Sequence, residues 1–268
     1  MNIFAGHLVV VRGGGDVGSG VIWRLRRVGF PVVVLELARP LTVRRTVAFS
    51  SAVTDGRVVI DGIEGLLVDS PDEALATAHR GVVPVLISEA VPAFPEPVSV
   101  LVDARLAKEA LDTRLDQAPF VVGLGPGFVA GVDCHAVIET MRGHRLGSVI
   151  WDGPAFPNTG VPGELGGASA DRVLHAQHDG SLSWDVRFGE IVKAGQQLGT
   201  IDGAPVVATI GGTVRGMIAP GEVTRGLKIA DVDPRIDPAM IDHVSDKALA
   251  VGGGALEAIL ARMNDRGR

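Results

Sequence analysis

The segment with the clearest chemical potential is glycine-rich and lies near the start of the chain, Gly13-Gly14-Gly15-Asp16-Val17-Gly18. A G-x-G-x-x-G spacing between an apolar strand and a helix is typical of dinucleotide-binding loops. Gly13 would make the turn, Gly15 would let a pyrophosphate approach the backbone, and Gly18 would let helix and strand pack closely. A phosphate would then bind N–H groups at the positive end of the helix.

Two acidic residues bear on this interpretation. Glu36 ends the second apolar strand, close to where an acid binds a ribose 2′-hydroxyl in such folds. Asp16 places a negative charge inside the loop, where it would repel a pyrophosphate unless a cation such as Arg12 compensates. An alternative in which the glycines serve only packing therefore stays open.

A second segment with possible chemistry runs from Asp133 to Arg142, where we predict a helix. His135 and Glu139 are four residues apart, so a helix would place them on one face, where a carboxylate can orient a base. Cys134 would lie in the first turn, where the helix dipole lowers a thiol pKa. The alternatives are a solvated surface pair and a small buried cysteine. With Asp16, these three residues are the candidate catalytic residues; two ligands do not define a metal site, and we predict none.

Further candidate binding residues lie in three later segments. Arg44 and Arg45 belong to a basic stretch past a strand end, which would meet an anion or form a solvated turn. A second glycine turn spans 123–127, and the aperiodic stretch 153–167 would be a lid or a linker. The candidate cofactor-binding residues are Gly13, Gly14, Gly15, Gly18, Glu36, Arg44, Arg45, Gly125, Gly127 and Asn158.

The elements that must position these residues alternate between strand and helix over 1–170. This alternation predicts an α/β fold with a Rossmann-like, mostly parallel sheet and helices on both faces. Helices are predicted at Val17–Val28, Pro71–His79 and Arg105–Leu111. A hairpin is predicted from Arg57–Asp61 and Gly65–Val68.

The stretch 171–235 contains a quasi-repeat of short strands with glycine turns. It is similar to a biotinyl/lipoyl-type barrel-sandwich hybrid, but the position of the carrier lysine reads Asp202-Gly203-Ala204-Pro205. We therefore predict a structural or docking module without a swinging arm. Residues 236–268 are predicted to be helical, with a break at Gly252–Gly254, and to pack back on the α/β domain.

Composition excludes several classes of protein. A net charge of −6 disfavours general nucleic-acid binding, and the single cysteine excludes internal disulfides and zinc sites built from several cysteines. The apolar runs are short and the start of the chain does not read as a signal peptide. We therefore expect a soluble, cytoplasmic protein that does not enter membranes.

Four segments together carry a resemblance that spans nearly the whole chain. They are 11–16, Glu36 with 44–49, 123–144 and 245–260, and Pro157–Gly160 adds to them. The chain resembles the YqeB-type accessory proteins of the selenium-dependent molybdenum hydroxylase system. That resemblance implies a maturation factor for xanthine dehydrogenase-like enzymes, related in theme to XdhC-like Rossmann proteins.

Three functional hypotheses follow, and they leave open whether the chain is an enzyme. In the first, an accessory factor binds a nucleotide or molybdopterin-type ligand, an anionic small molecule, for a molybdenum hydroxylase apoenzyme, and Cys134 carries sulfur or selenium. In the second, an NAD(P)-dependent oxidoreductase uses Glu36 on the ribose and His135 as proton donor. In the third, a non-catalytic chaperone docks through the module at 171–235.

Overall fold

The computed structural model describes residues 2–109, 111–158 and 170–266 and forms two compact units. Unit 1 comprises Met1–Pro40, Ala48–Asn158 and Val244–Arg268. Unit 2 comprises Leu41–Val47 and Thr159–His243. None of the helices in the described ranges combines the length and the apolar character that a membrane span requires.

Unit 1 is built on a nine-stranded mixed sheet and a separate pair of short strands. Its strands are β1 (Leu8–Arg12), β2 (Val32–Glu36), β3 (Arg57–Ile60), β4 (Ile63–Val68), β5 (Val83–Ile87), β6 (Val98–Asp103), β7 (Val121–Leu124), β8 (Val129–Ala130), β9 (Ala136–Ile138), β10 (Val149–Ile150) and β11 (Gly153–Pro154). The order in the large sheet is β10-β9-β7-β6-β1-β2-β5-β4-β3, while β8 pairs with β11. The seven central strands of the large sheet run parallel, and β3 and β10 pair antiparallel at its two edges.

The helices of unit 1 are α1 (Asp16–Val28), α2 (Ala52–Asp55), α3 (Pro71–His79) and α4 (Asp246–Arg266). The central strands are apolar up to their last residue, Arg12 in β1 and Glu36 in β2, because both faces of the sheet are covered, as is usual for parallel strands. One face packs against α1 and α4, and the other packs against α3 and the irregular chain around Cys134.

Several local predictions are confirmed. Helix α1 ends at Gly29 in the left-handed conformation, and Ser70 caps α3 by accepting the Glu73 N–H. The predicted hairpin forms from β3 and β4, with Asp61 and Gly62 at positive φ, as a tight two-residue turn requires.

The predicted combination of a Rossmann-like domain and a barrel-sandwich hybrid is wrong. The large sheet is mixed, and among the described residues only α1, α3 and α4 are α-helices longer than four residues. No helix forms in the described part of 105–111, because Leu106 and Lys108 adopt left-handed φ values of 56° and 68°.

The helix predicted over Asp133–Arg142 is also wrong. The apolar triplet of β9 instead pairs with β7 and extends the sheet. The i, i+4 helical relation between His135 and Glu139 therefore does not exist. Tertiary pairing with an available strand edge outweighs the local helical pattern here.

The predicted break at Gly252–Gly254 is wrong as well, since α4 is one 21-residue helix. Two of its glycines lie where other backbone comes close. A Cβ at Gly252 would overlap the carbonyl oxygen of Gly20 in α1, and a Cβ at Gly254 would overlap that of Gly147. The glycines lower helix propensity but permit this close approach.

Unit 2 consists of two four-stranded antiparallel sheets that share one apolar core. The strands are β12 (Val173–His175), β13 (Gly180–Trp184), β14 (Ile191–Val192), β15 (Gln197–Ile201), β16 (Ala204–Val207), β17 (Gly212–Met217), β18 (Gly221–Val223) and β19 (Lys228–Asp233). Their orders in the two sheets are β12-β19-β17-β14 and β16-β15-β13-β18. Each repeat therefore pairs with the other, because β14 of the first repeat pairs with β17 of the second, and β18 of the second pairs with β13 of the first.

The contact between α1 and α4 yields a prediction about stability. Gly252→Ala should lower the free energy of unfolding by about 1–3 kcal/mol, because the new methyl group overlaps the backbone of Gly20. Gly253→Ala is the matched control: a Cβ there meets no atom within 4 Å, so helix propensity should raise stability by roughly 0.5–1 kcal/mol. Urea denaturation measures both variants. Equal effects of the two substitutions would contradict the packing role of Gly252.

Candidate functional site

The candidate site lies at the carboxyl ends of the parallel strands of unit 1. Strand β1 is flanked by β2 on one side and β6 on the other: β2 to β5 lie on the first side of it, and β6, β7, β9 and β10 lie on the second. In open α/β sheets, ligands bind in the crevice outside such a switch point. The glycine segment Gly13–Gly15 directly follows β1 at this position.

The first half of the glycine loop is held by the protein itself. The Gly13 N–H donates to the Leu35 carbonyl, and the Gly14 N–H donates to a carboxylate oxygen of Glu36 at 2.8 Å. A Cβ at Gly14 would lie 2.9 Å from the Ser50 nitrogen, and one at Gly18 would overlap the Gly13 carbonyl. These glycines are therefore required by close packing, whatever else the loop binds.

The second half of the loop begins α1. Gly15 is the N-cap residue and has no side chain with which to cap the helix. Asp16 is the first residue of the helix, where a negative charge favours the positive end of the dipole. A helix that starts on a glycine turn at the edge of a sheet is the kind of terminus that binds anions.

Glu36 acts as a brace for the loop. Its second carboxylate oxygen accepts the Leu37 N–H at 2.9 Å, so the two oxygens bind two backbone amides. Burial raises the pKa of Glu36, while hydrogen bonds from Leu37 and Gly14 act in the opposite direction. A ribose hydroxyl could use this carboxylate only by sharing an oxygen with one of these amides.

A network of charges, which the sequence did not predict, joins the ends of β1 and β6. The buried guanidinium of Arg12 donates to the Asp112 carboxylate and to the Glu89 carbonyl, both at 2.8 Å. Arg105 binds the fully buried Asp103 and also donates to Asp112 at 2.7 Å. Hydrogen bonds from Arg12 and Arg105 hold the pKa of Asp112 well below its usual range.

A second cluster surrounds the carboxyl end of β9. Glu139 is buried, and its two oxygens accept the Met141 N–H at 2.7 Å and the Phe156 N–H at 2.8 Å. Arg142 makes a bidentate ion pair with Asp246 in the first turn of α4, at 2.7 and 3.1 Å. Glu139 therefore holds the two loops at this end of the site together.

Lys247 belongs to the same cluster, and the sequence did not indicate it as a site residue. Burial and the charge of Arg142 lower the pKa of its ammonium group, while Asp16, Glu139 and Asp246 act to raise it. The first turn of α4 lies beside α1, because a Cβ at Gly20 would overlap the carbonyl group of Ala248. The available signal was Ser245, which accepts the Ala248 N–H and marks the start of α4.

Cys134 does not have the environment that the helix prediction gave it. It is fully buried in the apolar cluster on the α3 face of the sheet. Burial raises the pKa of the Cys134 thiol to about 11, so the expected thiolate is wrong. The thiol behaves as a small apolar group of the core.

His135 lies at the amino end of β9, away from the glycine loop. Its Nδ1 accepts the N–H of Val121, the first residue of β7, at 3.0 Å. His135 and Glu139 flank the three residues of β9, so at about 3.3 Å per residue they are roughly 13 Å apart along the strand. The structure separates two residues that the sequence had placed on one helical face.

The remaining predicted residues are distributed over both units. Gly125 and Gly127 shape the turn after β7 with φ values of 78° and 102°, and a Cβ at Gly125 would overlap the Thr140 hydroxyl. Arg44 is buried in unit 2 and donates to the carbonyls of Met240 and His243. Arg45 begins a short 3-10 helix in unit 2. Asn158 is exposed and belongs to unit 1.

The burial of Cys134 predicts its reactivity. At pH 8 the thiol should react with iodoacetamide at least tenfold more slowly in the folded protein than in denaturant, because its high pKa and burial suppress the thiolate. Mass spectrometry of timed samples measures the labelling. Rapid labelling of the native protein would contradict the buried position.

The charge network predicts that substitutions of two arginines differ in their effect on the free energy of unfolding. Arg12→Met should reduce the free energy of unfolding by about 1–3 kcal/mol, because the hydrogen bonds that the buried guanidinium donates to Asp112 and to the Glu89 carbonyl are lost. Arg114→Met is the matched control, since its ion pair with Asp116 is exposed and its loss should cost at most about 0.5 kcal/mol. Urea denaturation compares the two variants, and equal losses would contradict the role given to Arg12.

Comparison with known proteins gives one strong sequence relationship. No protein-family model matches the chain. It is 47% identical over 264 residues to "Uncharacterized protein YqeB" of Escherichia coli (strain K12), an alignment that covers 97% of this chain and 49% of that protein. The chain thus spans about half the length of the curated relative that it matches.

Solved structures show only weak similarity. A succinylglutamate desuccinylase/aspartoacylase from Rhodobacter sphaeroides is 30% identical over 24% of this chain and 22% of that chain, with a TM-score of 0.22. An aspartoacylase family protein from Mesorhizobium loti is 10% identical, with 85% and 84% of the two chains covered and a TM-score of 0.26. A succinylglutamate desuccinylase from Silicibacter sp. TM1040 is 14% identical, with 85% of each chain covered and a TM-score of 0.26.

TM-scores of this size assign neither a fold nor an activity to this chain. The sequence relationship is the informative one, because it extends over nearly the whole chain. The resemblance to YqeB-type proteins is therefore confirmed, and the chain is similar to about half of such a protein.

Proposed function

We propose that this chain is an accessory or maturation factor for a molybdenum hydroxylase and that it binds a phosphate-bearing small molecule in unit 1. The observation that carries the binding part is the position of the glycine loop. The segment Gly13–Gly15 places the start of α1 at the carboxyl end of β1, the strand at which the strand order switches from one side to the other. This combination favours an anionic ligand.

The partner enzyme is proposed from the resemblance to YqeB-type accessory proteins of the selenium-dependent molybdenum hydroxylase system. A nucleotide or molybdopterin-type ligand carries the phosphate that the glycine loop would bind. Cys134 has no part in this proposal, because a buried thiol with a raised pKa is a poor carrier of sulfur or selenium.

The geometry favours this proposal over an NAD(P)-dependent oxidoreductase. In that alternative Glu36 would bind the ribose and His135 would donate a proton. Glu36 already accepts two backbone N–H groups, and His135 lies near the amino end of the sheet, across from the glycine loop. Two groups that lie at opposite ends of the strands of one sheet cannot act on the same small substrate.

Binding of ADP, pyrophosphate and adenosine to the purified chain tests the proposal. Calorimetry should detect ADP and pyrophosphate but not adenosine, because the phosphate is the recognised group. Gly15→Val should weaken ADP binding at least tenfold, and Gly15 tolerates a side chain conformationally because its φ is −68°. Gly6→Val is the matched control, since Gly6 is exposed and a Cβ there meets no atom within 4 Å.

The maturation part is tested in cells that lack this protein. Molybdenum hydroxylase activity should fall, and the wild-type chain and Gly6→Val should restore it while Gly15→Val does not. Unchanged hydroxylase activity in the deletion strain would contradict the maturation role. Absence of ADP and pyrophosphate binding at millimolar concentration would contradict the ligand.

A further inference from the structure

An open groove lies in unit 1 beside two crossovers that connect parallel strands without an α-helix. Such crossovers are usually helical. Residues 88–97, between β5 and β6, form no helix, since Pro92, Pro95 and Pro97 are unsuited to a helix interior. Between β6 and β7 the described residues contain one short 3-10 helix, Leu115–Gln117. Loops therefore cover this part of the sheet, and the groove remains between them.

The groove has the size and the walls of a small-molecule site. Its volume is about 740 Å³, and ligand pockets usually measure roughly 300–1,000 Å³. The residues that line it come from two segments, 90–98 and 112–119. Val91, Phe94 and Val98 pack against the apolar core on the α3 face of the sheet, yet they are only partly buried. These side chains offer apolar contact to a ligand.

One polar group at the groove is held in a fixed orientation. The Asp112 carboxylate accepts one hydrogen bond at each oxygen, from Arg12 at 2.8 Å and from Arg105 at 2.7 Å. Asp112 lines the groove, and its side chain is 53% exposed. A carboxylate accepts about four hydrogen bonds, so both oxygens retain acceptor capacity. Asp112 is therefore a pre-oriented acceptor for N–H groups of a ligand.

The charge around Asp112 indicates which kind of donor fits. Arg12 and Arg105 stand against Asp112 and Asp103, so two cations meet two carboxylates. A cationic ligand therefore finds no unbalanced charge, whereas neutral N–H groups still form hydrogen bonds to a charged acceptor. An anionic group is disfavoured, because the described residues that line the groove include no lysine, arginine or histidine. The groove thus favours a neutral ligand that donates hydrogen bonds.

Two further carboxylates line the groove, those of Glu96 and Asp116. Glu96 contacts His79, and Asp116 pairs with Arg114, in both cases with exposed side chains. Exposed pairs of this kind are weak, so they do not fix the carboxylates in place. Both groups favour donors over acceptors at the groove, but Asp112 is the one that is oriented.

We propose that this groove binds a planar nitrogen heterocycle that presents a ring N–H beside an amino group, as guanine and pterin rings do. The two adjacent donors bind the two oxygens of Asp112, in the way that a guanidinium binds a carboxylate. The faces of the ring contact apolar side chains such as Val91 and Phe94. This inference rests on the proposed function for the kind of ligand, and it gives a place to the ring of that ligand.

Calorimetry of the full chain at pH 7 with four probes tests the inference. Pterin and guanosine carry the two adjacent donors. Lumazine, which has an oxygen in place of the amino group of pterin, and adenosine lack them. Pterin should bind at least tenfold more tightly than lumazine, and guanosine more tightly than adenosine by a similar factor, because hydrogen bonds to a charged group are lost. The tighter of the two binders identifies the ring.

Substitutions in the groove provide a second test. Asp112→Asn should weaken the binding of pterin or guanosine at least tenfold, since the amide replaces one acceptor oxygen with a donor. Glu64→Gln is the matched control, because Glu64 also pairs with an arginine, Arg57, but does not line the groove. Ala93→Trp should block binding as well. Ala93 is exposed and lines the groove, so this variant leaves the arginine network intact.

The outcomes separate this inference from the proposed function. Equal binding of pterin and lumazine, or wild-type affinity in both Asp112→Asn and Ala93→Trp, would overturn the inference. So would a folded chain, as judged by circular dichroism, that binds none of the four probes at millimolar concentration. If that chain still binds ADP and pyrophosphate, the proposed function stands. Binding of pterin or guanosine without ADP or pyrophosphate would instead support the groove and contradict the phosphate site.

Discussion

The close contact between α1 and α4 determines where the charged groups of unit 1 lie. Gly20 and Gly252 bring the two helix backbones together, and Gly254 brings α4 against the turn at Gly147. Helices normally pack with 8–10 Å between their axes, and glycines at the contact favour the short end of that range. Because the contact lies near the start of both helices, residues distant in sequence meet at the edge of the sheet.

That edge contains many acidic groups, and the protein satisfies most of them internally. Glu36 and Glu139 bind backbone amides, whereas Asp103 and Asp112 bind arginines. Burying a carboxylate without such partners would be costly, so each bond also fixes the loop that donates it. As a result, these four carboxylates bind groups of the protein itself.

The sequence predicts those elements whose signals are local. The cap at Ser70, the glycine end of α1 and the two-residue turn of the hairpin all depend on neighbours within a few residues. The helix predicted over Asp133–Arg142 failed because β7 offers a strand edge to β9, and no local pattern reports that edge. The continuity of α4, the network of Arg12 and the position of Lys247 likewise depend on contacts between distant segments.

The separation of these contacts along the chain has a consequence for how the protein is made. Arg24 in α1 donates to Leu249 in α4 across 225 positions, and Arg44 in unit 2 donates to His243 across 199. At a synthesis rate of 5–20 residues per second, the early segments wait roughly 10–45 s for their partners to emerge from the ribosome. During that interval the part of α1 and of the sheet that α4 covers in the folded protein stays exposed to water. The order of synthesis therefore makes α4, the last helix of the chain, the element that closes this part of the core.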